Sequence, residues 1–296
     1  MHIKKGVSWN KNIKKWVGTV DTGGQLSEKD ENAHFLVATK VLVFMVVNIN
    51  GHFKAPVAYY LINSLNGHEK SIFLKDVLMK LDEKGIDVIS TTFDGDSAHR
   101  TAYELLGANF NFDDNDKFKP YIDHPATRKP VHIFFDPCHS LKLVRNYFGS
   151  KNKQLIYNKK EIINWEYIKK LHEKQDNEGL HCTCKIRKRH VQFENEKMRV
   201  FLATQVLSSS VANALHFLEF DLHDPAFKNA SGTAKFCKIF NDMFDMLNTK
   251  NKFTKTPTRK GITIKDLSEV KRKIDEYIDY INKLEVEVRL SKKNNT

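Results

Sequence analysis

Two aspartates carry the strongest chemical signal in this sequence. Asp94 closes the short run Val88-Ile89-Ser90-Thr91-Thr92-Phe93 and is followed by Gly95. A carboxylate at the C-terminal end of a buried strand sits where α/β sheets present ligand and metal groups. Asp21 closes an earlier apolar run, Trp16-Val17-Gly18-Thr19-Val20. Two strand-borne carboxylates held side by side would supply half of a two-metal site for cutting nucleic acid. Asp21 and Asp94 are therefore the candidate catalytic residues and the candidate metal ligands. Lys142 and Arg145, three apart on one expected helix face, are candidate DNA-phosphate contacts. Asp136, His139 and Lys142 suit either a second metal or phosphate site or, for Asp136 and His139, the fixing of a strand-to-helix turn. His181-Cys182-Thr183-Cys184 lacks the spacing and the partner pair of a zinc finger. The run Lys185–His190, KIRKRH, suits either a phosphate or nuclear-import patch or a solvated loop.

The elements that must position the two aspartates follow from periodicity. Trp16–Asp21 is the first expected strand. His34–Asn48 is a long β-rich run, and Asn50-Gly51 marks a hairpin turn. Phe53–Ile62 is the third strand, with a bulge or edge expected at Pro56. His68–Lys84 switches to helical spacing and is capped by Gly85. The strand ending at Asp94 follows, then a helix over Ala98–Leu106, with Asp96 as its N-cap or first-turn acid. Val131–Phe135 is a fifth strand, and His139–Phe148 a helix. This β-β-β-α-β-α-β-α order is that of a ribonuclease-H-like mixed sheet, an α/β fold whose first and fourth strands lie side by side. After about Ser150 helical periodicity dominates, over Ile162–Gln175, Lys197–Phe217, Thr233–Asn248 and Leu267–Val288. The expected organisation is a basic tail (1–14), a ribonuclease-H-like domain (15–150) and an all-α domain (151–296).

The bulk properties fit a nucleic-acid partner. The chain has 296 residues, a formal net charge of +12 and 41% hydrophobic residues. That is enough apolar material for a core and enough positive charge to favour a polyanion. Four cysteines are too few for a disulfide framework and fit a reducing compartment. No signal-peptide pattern opens the chain, and the longest apolar run, Val41–Val47, is too short to span a bilayer.

Several blocks are similar to the P-element transposase family, including the transposase bodies found behind THAP zinc fingers. They are KWVGTVDTGG (15–24), FDGDSAHR (93–100), HIFFDPCHSLKLVRNYFG (132–149), MRVFLATQVLSSSVANAL (198–215) and FNDMFDMLN (240–248). The resemblance implies that Asp21 and Asp94 are the first two catalytic aspartates, completed by a glutamate on a late helix, with Mg2+ (or Mn2+) as the metal. It implies DNA as partner, self-association and a nuclear location. It also implies that the helical half is a GTP-binding insertion, with Lys185, Val200, Ser208, Asp245 and Asn248 on or near the nucleotide positions. A lysine suits phosphate, and an Asp/Asn pair suits the base edge. This sequence departs from the family at Gly179, where an acidic contact is expected, and at Cys184. It has no zinc-finger sequence before Trp16 and no block carrying the glutamate. Glu285 and Glu287 lie in sequence that does not match that block. The expectation is a transposase fragment or domesticated derivative, inactive alone. The alternative is a non-catalytic nucleic-acid or partner-binding protein on the same scaffold, with guanine-nucleotide binding retained.

Overall fold

Nearly continuous apolar runs build the first long ladder. Strands β3 (Lys40–Val47) and β4 (Lys54–Ile62) pair antiparallel, with a register shift between Phe44 and Met45 opposite Ala58 and Pro56. The bulge expected at the proline is there, since proline cannot donate to the ladder. Upstream of it, β1 (Ser8–Asn10) pairs with β2 (Lys15–Val17), and Trp9 packs edge to face on Trp16 with ring centroids 5.5 Å apart. Residues 8–10 fall within the expected basic tail; the facing tryptophans give that segment a reason to fold back. The structure, a computed structural model, describes residues 2–12, 14–24, 36–49, 51–112, 117–150, 153–179, 185–249, 254 and 257–288. The chain folds as two compact units, Met1–Asp136 and Pro137–Thr296.

In the first unit, helix α1 (Gly67–Glu83) starts at a capping box formed by Asn66 and Glu69 and buries Phe73, Leu74, Val77, Leu78 and Leu81. Strand β5 (Ser90–Phe93) lies parallel to β7 (Pro130–Phe135), and β6 (Tyr121–Asp123) pairs antiparallel on the far side of β7. Helix α2 (Ser97–Leu105) leaves the end of β5 and packs against α1. Strand β6 was not anticipated, because three residues carry too little period to read. The expected neighbour of the fourth strand is also not found. The Gly18–Asp21 backbone bonds to Leu36, Ala38 and Leu61 instead, while β5 pairs with β7. Between β3, α1 and β5 lies a largely apolar cleft of about 1120 Å³, lined in part by Val43, Met45, Leu74, Phe93, Asp94 and His99.

The second unit is not all helical. Helix α3 (Pro137–Phe148) is followed by strands β8 (Lys153–Tyr157) and β9 (Glu161–Ile163) and then by α4 (Glu166–Glu178). The short α5 (Lys188–Val191) precedes α6 (Val200–Val206) and α7 (Ser209–His216). After α8 (Ser231–Leu247) and α9 (Leu267–Asn282), strand β10 (Leu284–Val288) closes a sheet in the order β10-β8-β9. Leu284-Glu285-Val286-Glu287-Val288 alternates with period two, so the helix expected to run to Val288 becomes a strand at Leu284. The helix expected over Lys197–Phe217 is broken at Leu207. There Ser208 takes the N-cap position and its hydroxyl accepts from the Val211 N–H at 3.3 Å, a competing bond that serine makes readily.

By length and composition Val200–Asp221 is apolar enough to cross a membrane. Val206, Leu207, Val211 and Leu215, however, are buried in the core of the second unit with Phe148 and Phe236. Each of these large side chains contributes about 1.5–3 kcal/mol by leaving water. The His181–Cys184 cluster falls outside the described residues.

Candidate functional site

Asp94 stands where its sequence context placed it, one residue past the end of β5. Gly95 follows with φ +80°, and a Cβ there would come within 3.4 Å of the Phe135 ring. Only a residue tolerant of the left-handed region makes this turn cheaply. One Asp94 oxygen, Oδ1, is tied twice: it accepts from the Asp96 N–H at 3.2 Å and lies 3.1 Å from His99 Nδ1. His99 leans on Phe93, and burial is the largest influence holding its pKa below the usual histidine value, reinforced by the Lys70 charge and opposed by Asp94 and Asp96. The Asp94 carboxylate remains about half exposed, at the rim of the cleft between β3 and β5. Asp96 occupies the N-cap position of α2 but makes no side-chain capping bond. It pairs with Lys70 Nζ at 2.8 Å, and that hydrogen bond holds its carboxyl below the ordinary range.

Asp21 is exposed and lies on a different ladder. Its backbone exchanges two hydrogen bonds with Leu61, at 2.8 and 3.0 Å, and its Oδ1 accepts from the Gly23 N–H at 3.0 Å. The donor type suits magnesium, since carboxylate oxygens are hard ligands. The arrangement does not: among the described residues no three His, Cys, Asp or Glu side chains are close enough to hold a metal ion. No chemical step through a metal follows from this arrangement.

Arg145 is not available to DNA. It is fully buried in the second unit, with its guanidinium over the Phe193 ring at 4.3 Å. Nε donates to Asn146 Oδ1 at 2.9 Å and Nη2 to the Lys197 carbonyl at 3.2 Å. Burial lowers its pKa to about 10, with Glu196 opposing, so it stays charged at neutral pH. Lys142 is buried as well. The physical reason is the stripe Leu141, Arg145, Phe148 at i, i+4, i+7, which turns inward as one face.

Of the five expected nucleotide residues, Asp245 anchors a side-chain network. Asp245, near the end of α8, is 7% exposed. Its Oδ1 pairs with Arg259 Nε at 2.9 Å, and its Oδ2 accepts from Asn241 Nδ2 at 3.3 Å. The Asn241 side chain in turn accepts from the Ser209 N–H at 3.3 Å, beside the Ser208 cap. Val200 begins α6, Asn248 is the C-cap of α8, and Lys185 is exposed. The residues missed in the sequence are His99, Lys70 and Arg259. His99 sits on the first turn of the helix after Asp94, a position that was readable. Lys70 and Arg259 reach their partners through tertiary contacts and left no local sign.

Comparisons with known proteins cover both halves of the chain. Residues 1–107 match the family described as TNP-like, RNase H N-terminal domain, and residues 138–260 match TNP-like, GTP-binding insertion domain. The chain is 30% identical over 256 residues, 86% of its length, to the DNA transposase THAP9 of Homo sapiens. It is 30% identical over 184 residues, 60% of its length, to the transposable element P transposase of Drosophila melanogaster. It spans 27% and 22% of those two relatives. Its fold matches a chain of the Drosophila P element transposase strand transfer complex with a TM-score of 0.70 at 20% identity, over 94% of this chain and 56% of that one.

Proposed function

Because the chain belongs to the P-element transposase family, we propose that it is part of a DNA-cutting and DNA-joining machine of the two-metal class, working on DNA in the nucleus. Asp21 and Asp94 are its proposed metal ligands and Mg2+ the proposed metal. The observation that carries this is Asp94: a strand-end carboxylate with one oxygen tied back and the other without a protein partner among the described residues. Bringing Asp21 beside it requires the Thr19–Asp21 segment to lie along β5, and the cleft between β3 and β5 is the space available. The test is calorimetric titration with Mn2+, with and without duplex DNA, of wild type against Asp94→Asn. Binding lost in the variant supports a surviving site. Absence of binding by wild type under both conditions sinks it, and leaves a scaffold that binds nucleic acid through charge alone.

The second unit is proposed to bind GTP, and the network at Asp245 favours it. An acceptor-only carboxylate in a buried setting selects a ligand edge with two adjacent N–H donors, which guanine has and adenine lacks. GTP should raise the thermal midpoint of the protein and ATP should not; equal shifts by the two would refute a guanine site.

A further inference from the structure

We infer that Arg259 sits on Asp245 as a resident mimic of a guanine edge, so that a guanine nucleotide enters the second unit by displacing an arginine; this rests on the GTP reading above. Guanine presents to a carboxylate the unit N1–H, C2, 2-amino, which is a guanidine built into a ring. The arginine guanidinium presents the same N–C–N donors. A carboxylate accepts either partner in the same plane, and a guanine edge would compete with Arg259 Nε for Asp245 Oδ1.

The geometry around Asp245 is that of a filled receptor. Arg259 Nε lies 2.9 Å from Oδ1, while Asn241 Nδ2 holds Oδ2 from the protein side at 3.3 Å. Asn241 is itself fixed by the Ser209 N–H and by Asp242. The carboxylate is therefore pre-oriented by groups on α7 and α8 whether or not Arg259 is present. The Asp245 side chain is 8% exposed, and the Arg259 side chain that covers it is 58% exposed. Arg259 lies in the single turn Pro257–Arg259, outside the helices that fix Asp245. The arginine is thus the solvent-side half of the pair, and the half that can leave without disturbing the core. Leaving Asp245 uncovered and unpaired would strand a desolvated carboxylate. Arg259 satisfies it until a ligand with the same donor pattern arrives.

An internal competitor has a definite sign in a binding experiment. The whole chain is titrated with GTP and with ATP by calorimetry. Arg259→Ala is expected to bind GTP about tenfold tighter than wild type, equivalent to about 1.4 kcal/mol, and to gain nothing for ATP. Arg259→Lys keeps a cation over Asp245 and is expected to stay within about threefold of wild type. In Asp245→Asn/Arg259→Ala the side-chain amide can donate, so preference is expected to pass from GTP to xanthosine triphosphate, whose base carries a C2 carbonyl where guanine has its amino group. Urea midpoints of all variants check that the fold is intact. An Arg259→Ala protein that binds GTP equally or more weakly overturns the mimic while leaving the nucleotide site standing. Wild type and Arg259→Ala that both fail to bind GTP overturn the mimic and the nucleotide site together.

Discussion

The two units hold their key aspartates in opposite ways. Asp94 is about half exposed, secured through one oxygen by a backbone N–H and a histidine. Asp245 is buried, with both oxygens engaged and a positive charge laid over it. A carboxylate meant for a cation must keep an oxygen free and tolerate its own charge in water. One meant for a neutral base edge must be dry, so that N–H donors compete well against water, and something must satisfy it when empty. Solvent access thus separates two aspartates that are chemically identical in the sequence.

Substitutions across the two units should break or sharpen that contrast. The largest effect is expected from Arg145→Ala, which removes a buried guanidinium packed over Phe193 and leaves the Lys197 carbonyl with Asn146 Nδ2 as its remaining donor; the cost should be about 3 kcal/mol in urea unfolding. Gly149→Ala comes next, because a Cβ there would run into the Phe193 ring; overpacking of this kind costs about 2 kcal/mol. Asp245→Asn should destabilise by about 1–2 kcal/mol, since Arg259 loses its counter-charge and a buried acceptor changes character. Asp94→Asn should change stability by about 0.5 kcal/mol or less, however much it affects metal binding. An Asp94→Asn protein as destabilised as Asp245→Asn would erase the distinction.

A smaller, pH-dependent effect concerns His190. Its Nδ1 accepts from the Arg187 N–H at 3.0 Å, so the proton is on Nε2, which donates to Gln205 Oε1 at 2.6 Å. Burial first, and then the charges of Arg189 and Arg145, hold its pKa below the ordinary 6.5, opposed by the bond to Gln205. The unfolded chain therefore binds the proton more readily. The neutral ring's contribution is present in full above about pH 6.5 and is lost as pH falls through the depressed folded value. Urea midpoints at pH 7.5 and pH 5.5 should differ more in wild type than in His190→Gln; equal pH dependence would remove His190 as the cause.

Much of the first unit was legible because its strands and helices announce themselves locally. The period change at His68 and the strand-end position of Asp94 both follow from neighbours in sequence. The pairing of Asp21 with Leu61 does not, because strand partnership is decided by contacts far apart in the chain. In the second unit the break at Ser208 and the strand at Leu284 were present as a serine cap and a period of two. Each was outweighed by long flanking helical patterns. Arg145 was misplaced because a charge on a helix reads as solvent-facing by default. The spacing of Leu141, Arg145 and Phe148 shows which residues share a face, and the burial of that face is set by Phe193 and Trp165, which pack there from elsewhere. Arg259 could not be found by any local rule.

The β10-β8-β9 sheet also sets an order of events during synthesis. Strand β8 is made early in the second unit, and its partner β10 is the last described element. Until Leu284–Val288 emerges from the ribosome, β8 carries an open edge of backbone donors and acceptors, with β9 on its other side. An open edge is a template for the wrong strand, and closing a loop of this length slows folding more than it weakens the product. The nascent second unit is therefore expected to be most open to mispairing while its helical core is already translated and its sheet is unfinished.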